Sequence, residues 1–219
     1  MKKVILTFDD GPSERFTELL DYLENNGHKA IFFCKGKNLE GKISRKNAIN
    51  AIKKGHLVEN HSYSHPNFNS ISYRRGKEEI LKTDRIIEEI YNEAGVKRNK
   101  KLFRFPYFCK GVFNFFNYQK LLKENGYNDP YFGRRFFDKP VAVTGTYHFL
   151  HSMVLGKYDV YCDIDPKDWD TKISFSIVKK TLDNAKDGDV ITLHDHRENL
   201  ERDKQICDYL SSKGFILSY

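Results

Sequence analysis

No apolar run in this 219-residue chain approaches the roughly 18 residues that a bilayer-spanning helix needs, so a helical membrane protein is excluded. Cysteine is scarce and scattered. Cys34, Cys109, Cys162 and Cys207 form no CxxC pair, and two of them fall inside the apolar runs Ile31–Cys34 and Val160–Cys162, so all four are read as reduced, mostly buried thiols. Internal repeats, low-complexity tracts and Ser/Gly linkers are missing, which makes one domain over residues 1–219 the expectation. Met1-Lys2-Lys3 leads straight into a strand-like run, leaving no room for a signal peptide, and the expected location is the cytoplasm. A concentrated field of one sign is also lacking. The net charge is +7, but Lys and Arg are dispersed. Their densest cluster, Lys97–Lys101, lies between a predicted helix and strand and is read as a solvated loop. No nucleic-acid motif accompanies it, so no nucleic-acid partner is expected.

What is present begins with Thr7-Phe8-Asp9-Asp10-Gly11-Pro12. The β-favouring run Val4–Phe8 feeds two adjacent carboxylates into a Gly-Pro turn. Neighbouring side chains on a strand face opposite ways, so both acids reach one site only if the strand stops there and the backbone turns. Two close carboxylates are costly unless a cation sits between them or one takes up a proton. A divalent metal would do the first and acid–base chemistry would use the second.

The rest of the chain alternates. Helical spacing of Phe16, Leu19, Leu20 and Leu23 is followed by a strand over Lys29–Gly36, a helix over Ser44–Gly55, a strand over His56–Glu59 and a helix over Arg75–Ala94. Leu102–Phe105 reads as a strand, Phe116–Asn125 as a helix and Tyr158–Ile164 as a strand. Ile177–Ala185 (helix), Val190–Leu193 (strand), Leu200–Leu210 (helix) and Phe215–Leu217 (strand) complete the run. Seven strands alternating with six helices predict parallel βαβ units, closed as a barrel or wound as an open sheet. In either architecture the C-terminal ends of the strands meet at one face. One stretch, 128–157, breaks the rhythm with two prolines, three glycines and many aromatics. It is expected to be a packed excursion beside that face, with a hairpin around Val141–Thr144 and with His148 and His151 structural.

Polar residues collect at the predicted strand ends: Asp9-Asp10, His61-Ser-Tyr-Ser-His65, Arg104-Phe-Pro-Tyr107, Asp165-Pro-Lys-Asp168-Trp169 and His194-Asp195. Two histidines four apart face one way if the segment turns helically. Taken one at a time, Arg104 is a salt-bridge partner, Trp169 a core residue and His194 a satisfied histidine. Their coincidence at one rim is what calls for chemistry.

These five stretches, TFDDGP, HSYSH, RFPY, DPKDW and TLHD, resemble in order the five motifs of the polysaccharide deacetylase family, carbohydrate esterase family 4, also called the NodB homology domain. The resemblance runs from Val4 to Leu217, with 128–157 as an addition. It implies an α/β fold, a distorted (β/α)7 TIM-like barrel, and a metal-dependent hydrolase that removes the acetyl group from the nitrogen of an N-acetylated sugar. One divalent ion is implied, zinc first, with Co, Mn or Ni as alternatives. By position Asp10, His61 and His65 match the metal ligands, Asp9 the general base and His194 the general acid. Arg104 matches the residue that orients Asp9, and Asp168 the one that orients His194. The backbone N–H of Tyr107 matches an oxyanion donor, and Trp169 would line the substrate groove.

Three departures carry information. Phe105 and Phe108 replace Pro and Gly of the usual Arg-Pro-Pro-Tyr-Gly, which puts a bulky group beside Tyr107 and reshapes the groove. Thr192 stands where an apolar side chain generally meets the acetyl methyl, making a formyl or other acyl group conceivable. With Met1-Lys2-Lys3 leading straight into the first strand, no export signal is expected, although a cell-wall substrate would call for one. The alternatives are therefore an O-acetyl carbohydrate esterase, a sugar deformylase, or a silent glycan-binding module, the last being disfavoured because base, ligands and acid are all retained.

Overall fold

A computed structural model describes residues 1–130 and 158–219. The hairpin around Val141–Thr144, His148, His151 and nearly all of the aromatic excursion lie outside the described residues.

Five strands pair in parallel. They are β1 (Lys2–Asp9), β2 (Ala30–Cys34), β3 (Leu57–Asn60), β4 (Val190–His194) and β5 (Phe215–Leu217). The order is β3-β2-β1-β4, with β5 on β1. β5 takes the first half of β1 (Lys2–Val4) and β2 takes the second (Leu6–Asp9). Lys29 N–H also reaches the Leu217 carbonyl (3.0 Å), so β5 is wedged between β1 and β2 at their N-terminal ends. This wedge is one source of the barrel's distortion.

The expected strands at 102–105 and 158–164 are present only as isolated bridges, Phe103 to Asn60 and Ile164 to Ile191. Local chemistry explains the loss. Pro106 follows Phe105 directly and supplies no N–H to a ladder. On the other segment Asp163 Oδ2 captures the Val190 N–H at 2.8 Å and Asp165 Oδ1 the Lys167 N–H at 2.8 Å, replacing ladder bonds by side-chain ones. The circuit still closes: Arg104 N–H donates to the Asn60 carbonyl, Val160 N–H to Phe103 and Thr192 N–H to Ile164. Seven segments thus surround one lumen, as a distorted (β/α)7 barrel requires.

Strand alternation sorts the side chains into layers. Leu6, Phe8, Phe32, Ile191 and Leu193 face outward onto the helices. Ile5, Ile31, Phe33, Leu102, Val160 and Val190 fill the floor of the lumen. Seven α-helices are described: α1 (Phe16–Asn25), α2 (Gly36–Leu39), α3 (Lys42–Lys53), α4 (Tyr73–Ala94), α5 (Phe115–Glu124), α6 (Phe175–Leu182) and α7 (Leu200–Ser212). α1 buries the expected stripe Phe16, Leu19, Leu20 and Leu23. α4 starts where Ser72 Oγ accepts the Arg75 N–H, a cap that contributes about 1 kcal/mol. It stops at Gly95, whose φ of 70° suits a residue without a Cβ.

Lys97, Asn99 and Lys100 are exposed on a loop, as expected of Lys97–Lys101, but Arg98 and Lys101 turn inward. The Arg98 side chain is 2% exposed and pairs with Glu59 (2.6 Å), Asp84 (2.7 Å) and Glu88 (3.2 Å), while Lys101 pairs with Asp84 and Glu88. Glu59 is fully buried on β3, and a buried carboxylate requires a cation close by.

Candidate active site

The β1–β4 register sets Asp9 level with His194. Asp9 is the last residue of β1 and continues the lumen row of Ile5 and Thr7. Arg104, wholly buried, crosses the lumen to meet it: Nη1 donates to Asp9 Oδ1 at 2.6 Å and to Thr7 Oγ1 at 2.8 Å. Its guanidinium lies 4.2 Å from the centre of the Phe33 ring, which fixes it from one side. Thr7 spends its own proton on the Ile191 carbonyl (2.8 Å), so across the 3.5 Å between the two hydroxyls Thr192 is the donor. Thr192 is fully buried in this belt beneath the acids. Asp9 Oδ2 is left facing His61 Nε2 at 3.8 Å.

Asp10 is where the strand breaks, with φ at 73°. A Cβ on Gly11 would come within 2.5 Å of Asp195 Oδ2, so glycine is what allows the turn to pass so close to β4. Asp195 secures the turn by accepting from Ser13 N–H (2.9 Å) and Ser13 Oγ (2.5 Å). The His61–His65 segment does not turn helically. Ser62 (φ 65°) and His65 (φ 60°) adopt left-handed backbone, and this path brings the two rings to 4.9 Å. It is pinned by Ser64, whose N–H and hydroxyl both bond Glu79 (2.6 and 2.8 Å).

Asp10, His61 and His65 place one donor atom each within 4.8 Å of one another. His65 Nε2 lies 3.1 Å and His61 Nε2 3.9 Å from Asp10 Oδ1. His61 Nδ1 lies 2.8 Å from the Arg104 carbonyl, which only accepts, so the proton is on Nδ1 and the Nε2 lone pair is free. Burial lowers both histidines, His65 to about 4, so they are neutral bases at neutral pH. Burial works to raise the Asp10 carboxyl, but the His196 hydrogen bond and the neighbouring His61, His65 and Lys35 side chains outweigh it and hold the group well below the usual carboxylate range. Asp10 Oδ1 is itself buried with no hydrogen-bond partner among the described residues. Two imidazole lone pairs and an unsatisfied carboxylate oxygen converging on one point fit a divalent cation.

Across the lumen, His194 Nδ1 sits 2.9 Å from Asp168 Oδ1, and the His194 N–H donates to Asp168 Oδ2 at 2.7 Å. Burial opposes a charge on His194, yet the Asp168 carboxylate prevails, with Asp9 and Asp165 adding to it, and raises the imidazole to about 9. Asn199 donates to Asp168 at 3.3 Å. Beneath them Asp203, on α7 and 1% exposed, faces Asp168. Burial and the neighbouring Asp168 and Asp195 push its carboxyl well above the usual carboxylate range.

Tyr107 is exposed and its ring meets His65 edge-on at 4.5 Å. The N–H groups of Phe108 and Cys109 close turns onto Phe105 and Pro106, and those turns leave the Tyr107 N–H out. Phe108 turns inward onto Tyr161 (4.6 Å) instead of standing in the cleft, and Trp169 is half exposed. Among the described residues, the non-glycine positions with positive φ are Asp10, Ser62, His65, Tyr107, Phe108 and Lys167. Each costs about 1–2 kcal/mol, and all six lie in or directly beside the five motif stretches.

Four participants escaped the sequence reading: Lys35, whose Nζ is 3.5 Å from Asp10 Oδ1, His196, Asn199 and Asp203. Asp203 left a legible signal, because it falls on the buried stripe Leu200, Ile206, Cys207 and Leu210 of α7, where an acid is out of place. His196 and Lys35 left none beyond their position at strand ends.

Comparison with known proteins agrees with this geometry. The family model "Polysaccharide deacetylase" matches residues 1–127. The chain is 29% identical over 219 residues to the peptidoglycan-N-acetylmuramic acid deacetylase PdaC of Bacillus subtilis, covering 99% of this chain and 37% of that protein. A solved structure of PdaC superposes with a TM-score of 0.66 at 27% identity, covering 99% of this chain and 87% of that one. A chitooligosaccharide deacetylase of Sinorhizobium fredii is 28% identical over 193 residues, covering 88% of this chain and 71% of that protein. A family 4 carbohydrate esterase from Streptomyces lividans, solved in complex with acetate, superposes with a TM-score of 0.63 at 25% identity, covering 98% and 91%. The chain spans 37% and 36% of the length of the first two curated relatives that it matches. It belongs to the polysaccharide deacetylase family.

Proposed function

We propose that this chain hydrolyses the N-acetyl group of an N-acetylated sugar in a glycan, using a divalent ion held by Asp10, His61 and His65, with Asp9 as general base and His194 as general acid. The observation that carries the reading is the pairing across the lumen. A carboxylate oriented by a buried arginine faces an imidazole kept protonated by a buried aspartate, with the converging donor triad beside them.

A bound ion supplies Lewis acidity, polarising the acetyl carbonyl and acidifying water. Zinc is the ion we assign, since two neutral imidazoles and one carboxylate are a zinc-type donor set that leaves positions open. Cobalt, manganese and nickel are the alternatives. The chain's own groups account for the proton transfers. Asp9 Oδ2, free of the Arg104 bond, accepts a proton from the water whose oxygen bonds to the acetyl carbon. His194 holds Asp168 through Nδ1, which leaves Nε2 to deliver a proton to the departing nitrogen as the C–N bond breaks. The products are acetate and the free amine. The Tyr107 N–H is assigned to the charge that develops on the carbonyl oxygen. Trp169 and the exposed face of Tyr107 line the groove, whereas Thr192 and Phe108 shape it from below by supporting Thr7 and Arg104.

The names of the relatives support peptidoglycan or chitooligosaccharide as the substrate class. The test is mass spectrometry of N-acetylated chitooligosaccharides, muropeptides and O-acetylated xylan before and after incubation with zinc-loaded protein. We expect loss of acetyl from nitrogen with matching release of acetate, abolished by chelation. Cleavage confined to the O-acetyl ester would establish the esterase instead. No turnover of any substrate despite a bound metal would favour the binding module.

A further inference from the structure

His196 lies two residues beyond the acid histidine, on the loop leaving β4, and the chemistry assigned to the motifs does not use it. Its Nε2 is 2.9 Å from Asp10 Oδ2. A carboxylate only accepts, so Nε2 carries the proton and donates. The two oxygens of Asp10 therefore have different surroundings. Oδ2 is held by His196, while Oδ1 is buried, faces His65, His61 and Lys35 and has no hydrogen-bond partner among the described residues. His196 stands outside the set of donor atoms that lie within 4.8 Å of one another.

We infer that His196 is a positioning residue for the metal site: by occupying Asp10 Oδ2 it presents Oδ1 alone to the ion, so that the carboxylate binds through one oxygen in a fixed orientation. The inference rests on the metal reading of Asp10, His61 and His65. Its physical basis is that a ligating carboxylate with a free second oxygen swings between one- and two-oxygen binding, and an outer hydrogen bond stops the swing. Asp10 has particular need of such a partner. It sits at a left-handed residue one position past the end of a strand, where no ladder bond fixes its orientation; Asn38 holds only its backbone carbonyl (3.0 Å), and Lys35, 3.5 Å away, approaches Oδ1 rather than Oδ2. The backbone supplies the close approach. Asp195, adjacent to His196, donates its N–H to the Asp9 carbonyl (2.8 Å) and clamps Ser13 on the far side of the turn, which brings the β4 loop directly over Asp10.

The experiment titrates zinc alone into metal-free protein against a chromophoric chelator, and repeats the titration with cobalt followed by its visible absorption. For His196→Ala we expect zinc affinity to fall about 10- to 100-fold while the stoichiometry stays at one ion per chain and the cobalt spectrum keeps its coordination class. His196→Gln, whose amide nitrogen can donate from nearly the same place, is expected to recover most of the affinity. The metal-free protein should remain folded in all three, checked by a cooperative thermal transition, because His196 is 39% exposed and outside the core, and only a small drop in midpoint is expected where the Asp10 hydrogen bond is lost. Wild-type affinity in His196→Ala would overturn the inference. So would failure of His196→Gln to recover binding, or a changed cobalt spectrum, either of which would make His196 a ligand. Absence of metal binding by the wild-type protein would instead overturn the metal reading itself, and this inference with it.

Discussion

Two buried arginines reach buried carboxylates in this barrel at the same 2.6 Å, and only one of them is at the site. Arg98 joins Glu59 and Asp84, which also receive Leu102 N–H, Tyr127 Oη and Lys101, so the cluster is a mutual neutralisation of several fixed groups. Arg104 takes one oxygen of Asp9 and leaves the other facing His61, beyond which lies the unsatisfied oxygen of Asp10. Glu59 Oε1 also lacks a hydrogen-bond partner among the described residues, but three converging donors of metal-ligand type occur among them only at Asp10, His61 and His65. A buried ion pair is thus a poor marker of chemistry. The marker is a second oxygen turned toward convergent lone pairs.

The largest effect that separates the two regions is on stability. Arg98→Ala leaves Glu59 buried without its cation and should cost about 3–5 kcal/mol in chemical denaturation, with kcat/KM per folded molecule unchanged. Lost activity at undiminished stability would erase the distinction drawn between the clusters.

A smaller change, specific to the site, is expected from Asp168→Asn. In the wild type His194 stays protonated up to about 9, so with His194 as the proposed acid, activity should fall as pH rises through that value. Without the carboxylate, burial dominates and the basic limb should move down to about 6.5 or lower. The sign for stability is the same. With its folded-state value raised, the His194–Asp168 pair stabilises fully below about 6.5, the ordinary histidine value, and loses that contribution as pH climbs through about 9. A limb that does not move would detach His194 from the acid role.

Much of this was legible in the sequence. Apolar runs ending in acids or histidines marked β1, β3 and β4, because a strand buried on both faces has little choice of composition. The segments 102–105 and 158–164 read equally well but pair only by bridges, since Pro106, Asp163 and Asp165 compete for the backbone's hydrogen bonds and such competition is settled in three dimensions. The triad Asp10, His61 and His65 was readable as residue types, whereas the left-handed path that joins its histidines was not. Arg98 looked like one lysine-rich loop residue among five, because nothing local announces that Glu59, 39 positions away, needs it. The same holds for His196 and Lys35, which meet Asp10 only across the rim.

The central claim is that two adjacent, chemically identical aspartates have been given different work by their neighbours. Zinc content and turnover measured side by side in Asp9→Asn and Asp10→Asn test it most directly. Asp9→Asn should keep about one zinc per chain and lose about 10²- to 10⁴-fold in kcat, while Asp10→Asn should lose the zinc as well. Zinc lost equally from both variants, or full turnover in Asp9→Asn, would contradict the division.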